Sequence, residues 1–325
     1  MATVKRLGVL TSGGDAPGMN AALRAIVRTA IAEEFAVTGI VRGLAGLLES
    51  EFVELDARSV SNILQLGGTV LKTSRSREFY EPESRAEAAH NLRAAKIDAL
   101  IAVGGEGTFE GIHKLASEQQ TVVVGVPATI DNDVYGTDYT IGFDTAANTA
   151  LESIDKIRDT AASHDRAFFI EVMGRECGAL ALEVGLSGGA EAILIPEVGS
   201  DLDGVADRLE EGRRRGKTSF IIVVAEGAVE GGARTVAEAV RARVGLRYRV
   251  SVLGHIQRGG SPTSFDRALA SRMGSAAVDA VSGGLSDVAV GVVRGSIKTL
   301  ELEEILGRRQ PPDEDLLRIA GVLAS

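Results

Sequence analysis

The chain has 325 residues, 45% hydrophobic and 25% charged, the balance of a globular protein long enough for two domains. Its formal charge of −10, an aromatic content of 4% and the lack of tryptophan exclude a nucleic-acid surface or an anionic membrane as main partner. A single cysteine, Cys177, excludes an intrachain disulfide and a cysteine metal cluster; with no signal-like or membrane-length apolar run, the sequence reads as cytoplasmic.

In chain order, Leu7–Leu10 reads as a strand, Thr11–Pro17 as a loop and Met19–Glu33 as an amphipathic helix. Val37–Val41 is a second strand. Ala99–Val103 is another, followed by Gly104–Thr108 and a helix through Leu115, and Val122–Val126 leads into an Asp-rich loop. Ala167–Val172, Ala192–Ile195, Phe220–Ala225, Tyr248–Leu253 and Val288–Val293 complete the set. Fully apolar runs separated by helices describe buried parallel strands, hence an α/β protein. The tail Arg308–Ser325 reads as a loop and a final helix, with Pro311-Pro312 at its start. No repeat, low-complexity segment or linker is visible.

The unusual polar motifs each begin where an apolar strand ends, the place where open parallel sheets bind ligands, so they are expected to converge in space. Ser12-Gly13-Gly14-Asp15-Ala16-Pro17-Gly18 joins a strand to a helix; its glycines admit a phosphate to backbone amides, or else make a tight turn. It is not a Walker A loop, since the Gly-Lys-Ser/Thr ending is missing. Gly104-Gly105-Glu106-Gly107-Thr108 repeats the arrangement with a carboxylate that can hold Mg²⁺ beside a triphosphate, or that simply favours a helix start. In Pro127-Ala128-Thr129-Ile130-Asp131-Asn132-Asp133, two carboxylates lie two residues apart, matching a base and a metal ligand for phosphoryl transfer, or an Asp/Asn turn. Arg166, Arg175, Arg249 and Arg258 fall at strand termini and read as a concentrated anion site in an acidic protein. His255 beside Arg258 reads as a phosphate contact; His90, His113 and Cys177 suggest no chemistry.

Together, TSGGDAPGMNAALR, GGEGT, PATIDND, YGTDYTIGFDTA, EVMGRECG, IPE and VLGHIQRGGSP stand in one order over nearly the whole chain, and the sequence resembles the 6-phosphofructokinase family. The resemblance implies an α/β fold of two doubly wound domains with mainly parallel sheets facing a central cleft. A larger ATP-binding domain would take 1–142 plus 257–307, and a smaller sugar-phosphate domain 143–256 plus 308–325. It implies phosphoryl transfer from MgATP to the 1-hydroxyl of fructose 6-phosphate, a committed step of glycolysis. Gly14, Arg75, Ser76, Gly105, Glu106, Gly107 and Thr108 would hold ATP, and Glu106 and Asp133 the Mg²⁺. Asp131 would be the general base, with Thr129 and Arg175 also catalytic. Thr129, Ile130, Asp131, Met173, Gly174, Arg175, Glu226, His255, Ile256, Gln257 and Arg258 would bind the sugar phosphate. Arg166 and Arg249 would reach the 6-phosphate from a neighbouring subunit of a homo-oligomer, usually a tetramer. An effector site for ADP or phosphoenolpyruvate would use Arg24, Arg28, Arg158, Gly189, Glu191, Arg215 and Lys217.

Three departures stand out. Glu106 replaces the aspartate common in the family. Ala128 is neither the glycine frequent in ATP users nor the lysine of pyrophosphate users; Gly107, where pyrophosphate users tend to carry aspartate, favours ATP. At the effector site Ala57 falls where a basic residue is expected, with Arg58 displaced by one, and Asn62 stands where an acid is common. A pyrophosphate-dependent enzyme, a lipid or NAD kinase, and a nucleotide-binding regulatory subunit without catalysis are the competing readings. The last two fit poorly with Asp131, Asp133 and the His255–Arg258 motif.

Overall fold

The computed structural model describes residues 4–74 and 76–323. The chain divides into two compact units. Unit 1 comprises Met1–Thr129, Asp133–Asp144 and Arg258–Gln310; unit 2 comprises Ile130–Asn132, Thr145–Gln257 and Pro311–Ser325.

In unit 1, seven strands form one sheet among the described residues: β1 (Arg6–Thr11), β2 (Ala36–Ile40), β3 (Phe52–Leu55), β4 (Ala99–Gly104), β5 (Val122–Pro127), β10 (Val288–Val293) and β11 (Ser296–Glu301). Their order is β11-β10-β5-β4-β1-β2-β3. The centre is parallel, and its strands are apolar along their length because helices cover both faces. Both edges are antiparallel, β3 on β2 and β11 on β10. Neither edge strand is signalled by an apolar run: β3 is only four residues, Phe52-Val53-Glu54-Leu55, with a charge inside it, and β11 is mostly polar, and both are largely open to solvent. The core gathers Leu10, Ile40, Leu100, Phe109, Ile112 and Val123 with neighbours from the covering helices.

In unit 2, β6 (Ala167–Val172), β7 (Ala192–Leu194), β8 (Phe220–Ala225) and β9 (Tyr248–Val252) form a four-stranded sheet in the order β7-β8-β6-β9, parallel throughout. Phe169, Leu194, Leu209, Phe220, Val236 and Val240 anchor its core. The tail helix, Glu314–Leu323, packs against Ala179–Ser187. No helix among the described residues is long and apolar enough to cross a membrane.

Candidate functional site

The order reversal in unit 1 fixes the first set of groups. β1 and β4 are parallel neighbours, with Thr11 opposite Val103, so the loops that follow them emerge side by side. Ser12 N–H donates to the Val103 carbonyl at 3.0 Å. Thr108 lies between the two loops: a Cβ at Gly104 would come within 2.5 Å of its Oγ1 and 2.7 Å of the Ser12 carbonyl, and one at Gly13 within 3.5 Å of the hydroxyl. The Thr108 hydroxyl is buried and has no hydrogen-bond partner among the described residues. The helix Glu106–Gln119 begins here; the Thr108 amide donates to the Gly105 carbonyl at 3.0 Å, the amides of Glu106 and Gly107 precede the helical ladder, and the Glu106 carboxylate is exposed beside them. Arg258 closes the first loop: its Nη1 donates to the Asp15 carbonyl at 3.1 Å, and a Cβ at Gly14 would meet that nitrogen at 2.6 Å. Thr129 follows β5 and lies by Gly105, and its carbonyl accepts from the Thr140 hydroxyl at 2.6 Å. Ser76 Oγ accepts the Phe79 amide at 3.3 Å. Arg75, one of the expected ATP contacts, lies outside the described residues.

The second set, in unit 2, comes from the carboxyl ends of β6, β8 and β9 and from the short segment Ile130–Asn132 that follows β5. Asp131 is 1% exposed, and Arg175 Nε stands 3.6 Å from its Oδ2. A buried carboxylate needs such a counter-charge. The chain after β6 turns sharply: Gly174 has φ +144°, a region closed to most side chains, and Arg175 follows with φ +52°. Glu226, after β8, holds this turn by accepting the Gly174 amide at 3.3 Å and the Arg175 amide at 2.7 Å through Oε1. The buried Gln257 accepts the Met173 amide at 3.0 Å, and its own Nε2 has no hydrogen-bond partner among the described residues. Glu197, from the IPE motif, takes the Gly178 amide at 2.7 Å, a support for the same loop that the sequence alone does not assign. His255 and Ile256 are exposed.

The four strand-terminal arginines do not form one cluster. Arg175 follows the carboxyl end of β6, whereas Arg166 precedes its amino end and Arg249 is the second residue of β9, paired with Phe168. Six strand residues separate the two ends of β6, about 20 Å. Arg258 belongs to unit 1. The expected effector residues, which the resemblance places between subunits, are drawn from both units. In unit 2, Lys217 Nζ meets Glu191 at 2.5 Å, and Arg158 donates to the Gly189 carbonyl at 2.8 Å, while Arg215 pairs with Glu211 at 2.9 Å. Arg24 and Arg28 share one face of the helix Met19–Ala32 in unit 1.

A cradle of glycine loops at a helix start, and a buried carboxylate beside a guanidinium at the ends of parallel strands, are the parts of an α/β phosphotransferase. The Phosphofructokinase family matches residues 6–281, and the chain belongs to that family. It is 59% identical over 321 residues to the ATP-dependent 6-phosphofructokinase 1 of Thermus thermophilus, covering 99% of this chain and 100% of that one. Among solved structures it is similar to phosphofructokinase from Saccharomyces cerevisiae, with TM-score 0.85 and 37% identity over 92% of this chain; it spans 45% of the yeast chain. The pyrophosphate-dependent phosphofructokinase from Marinobacter aquaeolei shares the fold, with TM-score 0.83 at 23% identity over 99% of this chain and 92% of that one.

Proposed function

We propose that this chain transfers the terminal phosphoryl group of ATP to the 1-hydroxyl of fructose 6-phosphate, giving fructose 1,6-bisphosphate. The observation that carries the reading is the buried Asp131 carboxylate beside Arg175, in a chain 59% identical to an ATP-dependent enzyme of this name. Unit 1 is the ATP side and unit 2 the sugar-phosphate side. The amides of the two glycine loops and the Thr108 hydroxyl receive the ATP phosphates. Glu106 and Asp133 offer hard oxygens, and Mg²⁺ commonly takes one or two carboxylates together with substrate phosphates, so the donor chemistry fits the ion. An ion held there would supply neutralisation of charge on the transferred group.

Asp131 accepts the proton of the 1-hydroxyl as that oxygen attacks phosphorus. Arg175 steadies the negative charge of the transferring phosphoryl, and Glu226 fixes the turn that aims it. Met173, Gly174, His255 and Arg258 orient the sugar phosphate. Arg166 and Arg249, at the far end of β6 and β9, serve the 6-phosphate held by another copy, which makes the working form a homo-oligomer, a tetramer in this reading. Arg24, Arg28, Arg158, Gly189, Glu191, Arg215 and Lys217 form the site for ADP or phosphoenolpyruvate, and the reaction belongs in the cytoplasm.

Gly107 favours ATP over pyrophosphate: no acidic side chain stands in the first turn at that position, and a Cβ there would meet only Tyr80 Oη, at 3.8 Å. Ala128 is 1% exposed and adds no charge to replace a nucleotide. A coupled assay with each donor tests the proposal. Turnover with ATP and none with pyrophosphate is expected, and the reverse overturns it. Sigmoidal dependence on fructose 6-phosphate, relieved by ADP, is the expected signature of the effector site.

A further inference from the structure

Arg166, Arg234, Arg241, Arg247 and Arg249 line one open cleft of about 670 Å³ in unit 2, with Tyr248 between them. Arg166 precedes β6 and Arg247 precedes β9, and the two are tied together because the Ala167 amide donates to the Arg247 carbonyl at 3.0 Å. Arg234 and Arg241 lie seven positions apart on the helix Gly232–Val244, two turns along one face, or about 10 Å. The Arg241 guanidinium sits 5.9 Å from the centre of the Tyr248 ring. Arg249 leaves β9 on the face opposite Tyr248, and Arg247 directly precedes the strand; β9 is the outermost strand of its sheet, and all three residues line the same cleft.

The charge pattern here differs from the surrounding surface. Arg243, on the same helix, pairs with Asp203 at 2.6 Å, and Lys217 pairs with Glu191. Among the described residues no carboxylate lines the cleft, and no ion pair engages any of its five arginines. Arg249 donates only to the neighbouring Tyr248 carbonyl, at 3.1 Å. Five guanidiniums around one concavity, in a chain of net charge −10, repel one another until an anion enters. One phosphoryl group is satisfied by two guanidiniums in fork geometry. Arg166 and Arg249 suffice for a sugar monophosphate, which leaves Arg234, Arg241 and Arg247 without an anionic partner among the described residues.

We propose that this cleft binds a compact oligophosphate of three or more linked phosphoryl groups, which Arg234, Arg241 and Arg247 distinguish from a monophosphate. The inference rests on the sugar-phosphate reading of Arg166 and Arg249 and extends it. Because those two arginines are shared, the oligophosphate competes with fructose 6-phosphate.

The test is calorimetric titration of the full chain, without Mg²⁺ or nucleotide, with inorganic tripolyphosphate and with orthophosphate. Tripolyphosphate is expected to bind at least about tenfold more tightly than orthophosphate, a difference near 1.4 kcal/mol. A triple variant, Arg234→Gln with Arg241→Gln and Arg247→Gln, is expected to weaken tripolyphosphate by about tenfold or more. Its KM for fructose 6-phosphate should rise by much less. All three side chains are exposed, so its thermal unfolding should match that of the unaltered chain. Equal affinity for the two anions overturns the proposal, and so does unchanged tripolyphosphate binding by the triple variant, which would place the anion at the intact glycine loops. Arg249→Ala separates the two readings: it should weaken both fructose 6-phosphate and tripolyphosphate. An unchanged fructose 6-phosphate KM would sink the sugar-phosphate assignment alone, while the tripolyphosphate arms still decide the oligophosphate one.

Discussion

The glycine loops of unit 1 and the Asp131–Arg175 region of unit 2 are both assigned to phosphate in the proposed reaction, but they are built from different material. The first is made of backbone and of missing side chains: Gly13, Gly14 and Gly104 let the two loops close around the buried Thr108 hydroxyl and the start of a helix. The second is made of side chains, each held by another: Arg175 opposite Asp131, Glu226 under the Gly174 and Arg175 amides, Gln257 under Met173. The contrast teaches that one region fails when atoms are added and the other when they are removed.

Four substitutions probe that contrast. The largest effect is expected from Asp131→Asn, which keeps the shape and removes the base: kcat should fall about a thousandfold while fructose 6-phosphate affinity stays within a few-fold. Turnover within tenfold of the unaltered enzyme would dismiss Asp131 as the base. Next, Gly104→Ala forces a methyl against the Ser12 carbonyl and Thr108, at 2.7 and 2.5 Å. Backbone cannot yield there as a side-chain tip can. A loss of about 1–3 kcal/mol in unfolding free energy is expected, with a raised KM for ATP and little change in that for the sugar phosphate. A rise on the sugar side instead would erase the distinction between the regions.

Glu226→Gln should be milder. It replaces a charged acceptor of two amides by a neutral one, at about 1.5 kcal/mol, which is roughly tenfold in KM for fructose 6-phosphate. Unaltered kinetics would mean that the turn holds its shape without the charge. The smallest catalytic effect belongs to Arg85→Met, outside both regions. Buried Arg85 grips Glu118 through bonds of 2.7 and 2.6 Å and donates to the Phe79 carbonyl at 2.9 Å. Its loss should cost about 1–3 kcal/mol of stability, read by denaturant titration, with near-normal turnover. The guanidinium hydrogen bonds hold the Glu118 carboxyl below its ordinary range. A depressed folded-state value contributes stability above the unfolded carboxyl range and loses it as pH falls, so the gap between variant and parent should narrow in acid. A gap independent of pH would assign the effect to packing alone.

The sequence disclosed these two materials unequally. Glycine runs after apolar strands mark a backbone-made cradle directly, because the signal and the function share the same residues. The buried strands were equally plain, since β4, β5 and β8 are apolar along their whole length. β3 and β11 were not, because an edge strand needs no continuous apolar run: β3 is four residues long with Glu54 inside it, and β11 is mostly polar. The side-chain-made region was legible only in part. Asp131 stood out through its neighbour Asp133, but the role of Glu226 depends on a contact with Arg175, 51 positions away. The family likeness supplied that residue; its own surroundings in the chain did not. Glu197 and the arginines at 234, 241 and 247 were less visible still. Helical arginines two turns apart look like an ordinary solvated face until the strand that joins them is in place.

The length of β6 has one further consequence. Arg166 lies at one end of β6 and Arg175 follows the other, about 20 Å along the strand, and in the proposed reading Arg166 serves the sugar phosphate of another copy. If both act on the sugar phosphate, specific activity becomes a mass-action quantity. It should stay constant while subunits are associated and fall on dilution below their dissociation constant, with KM for the sugar rising before kcat declines.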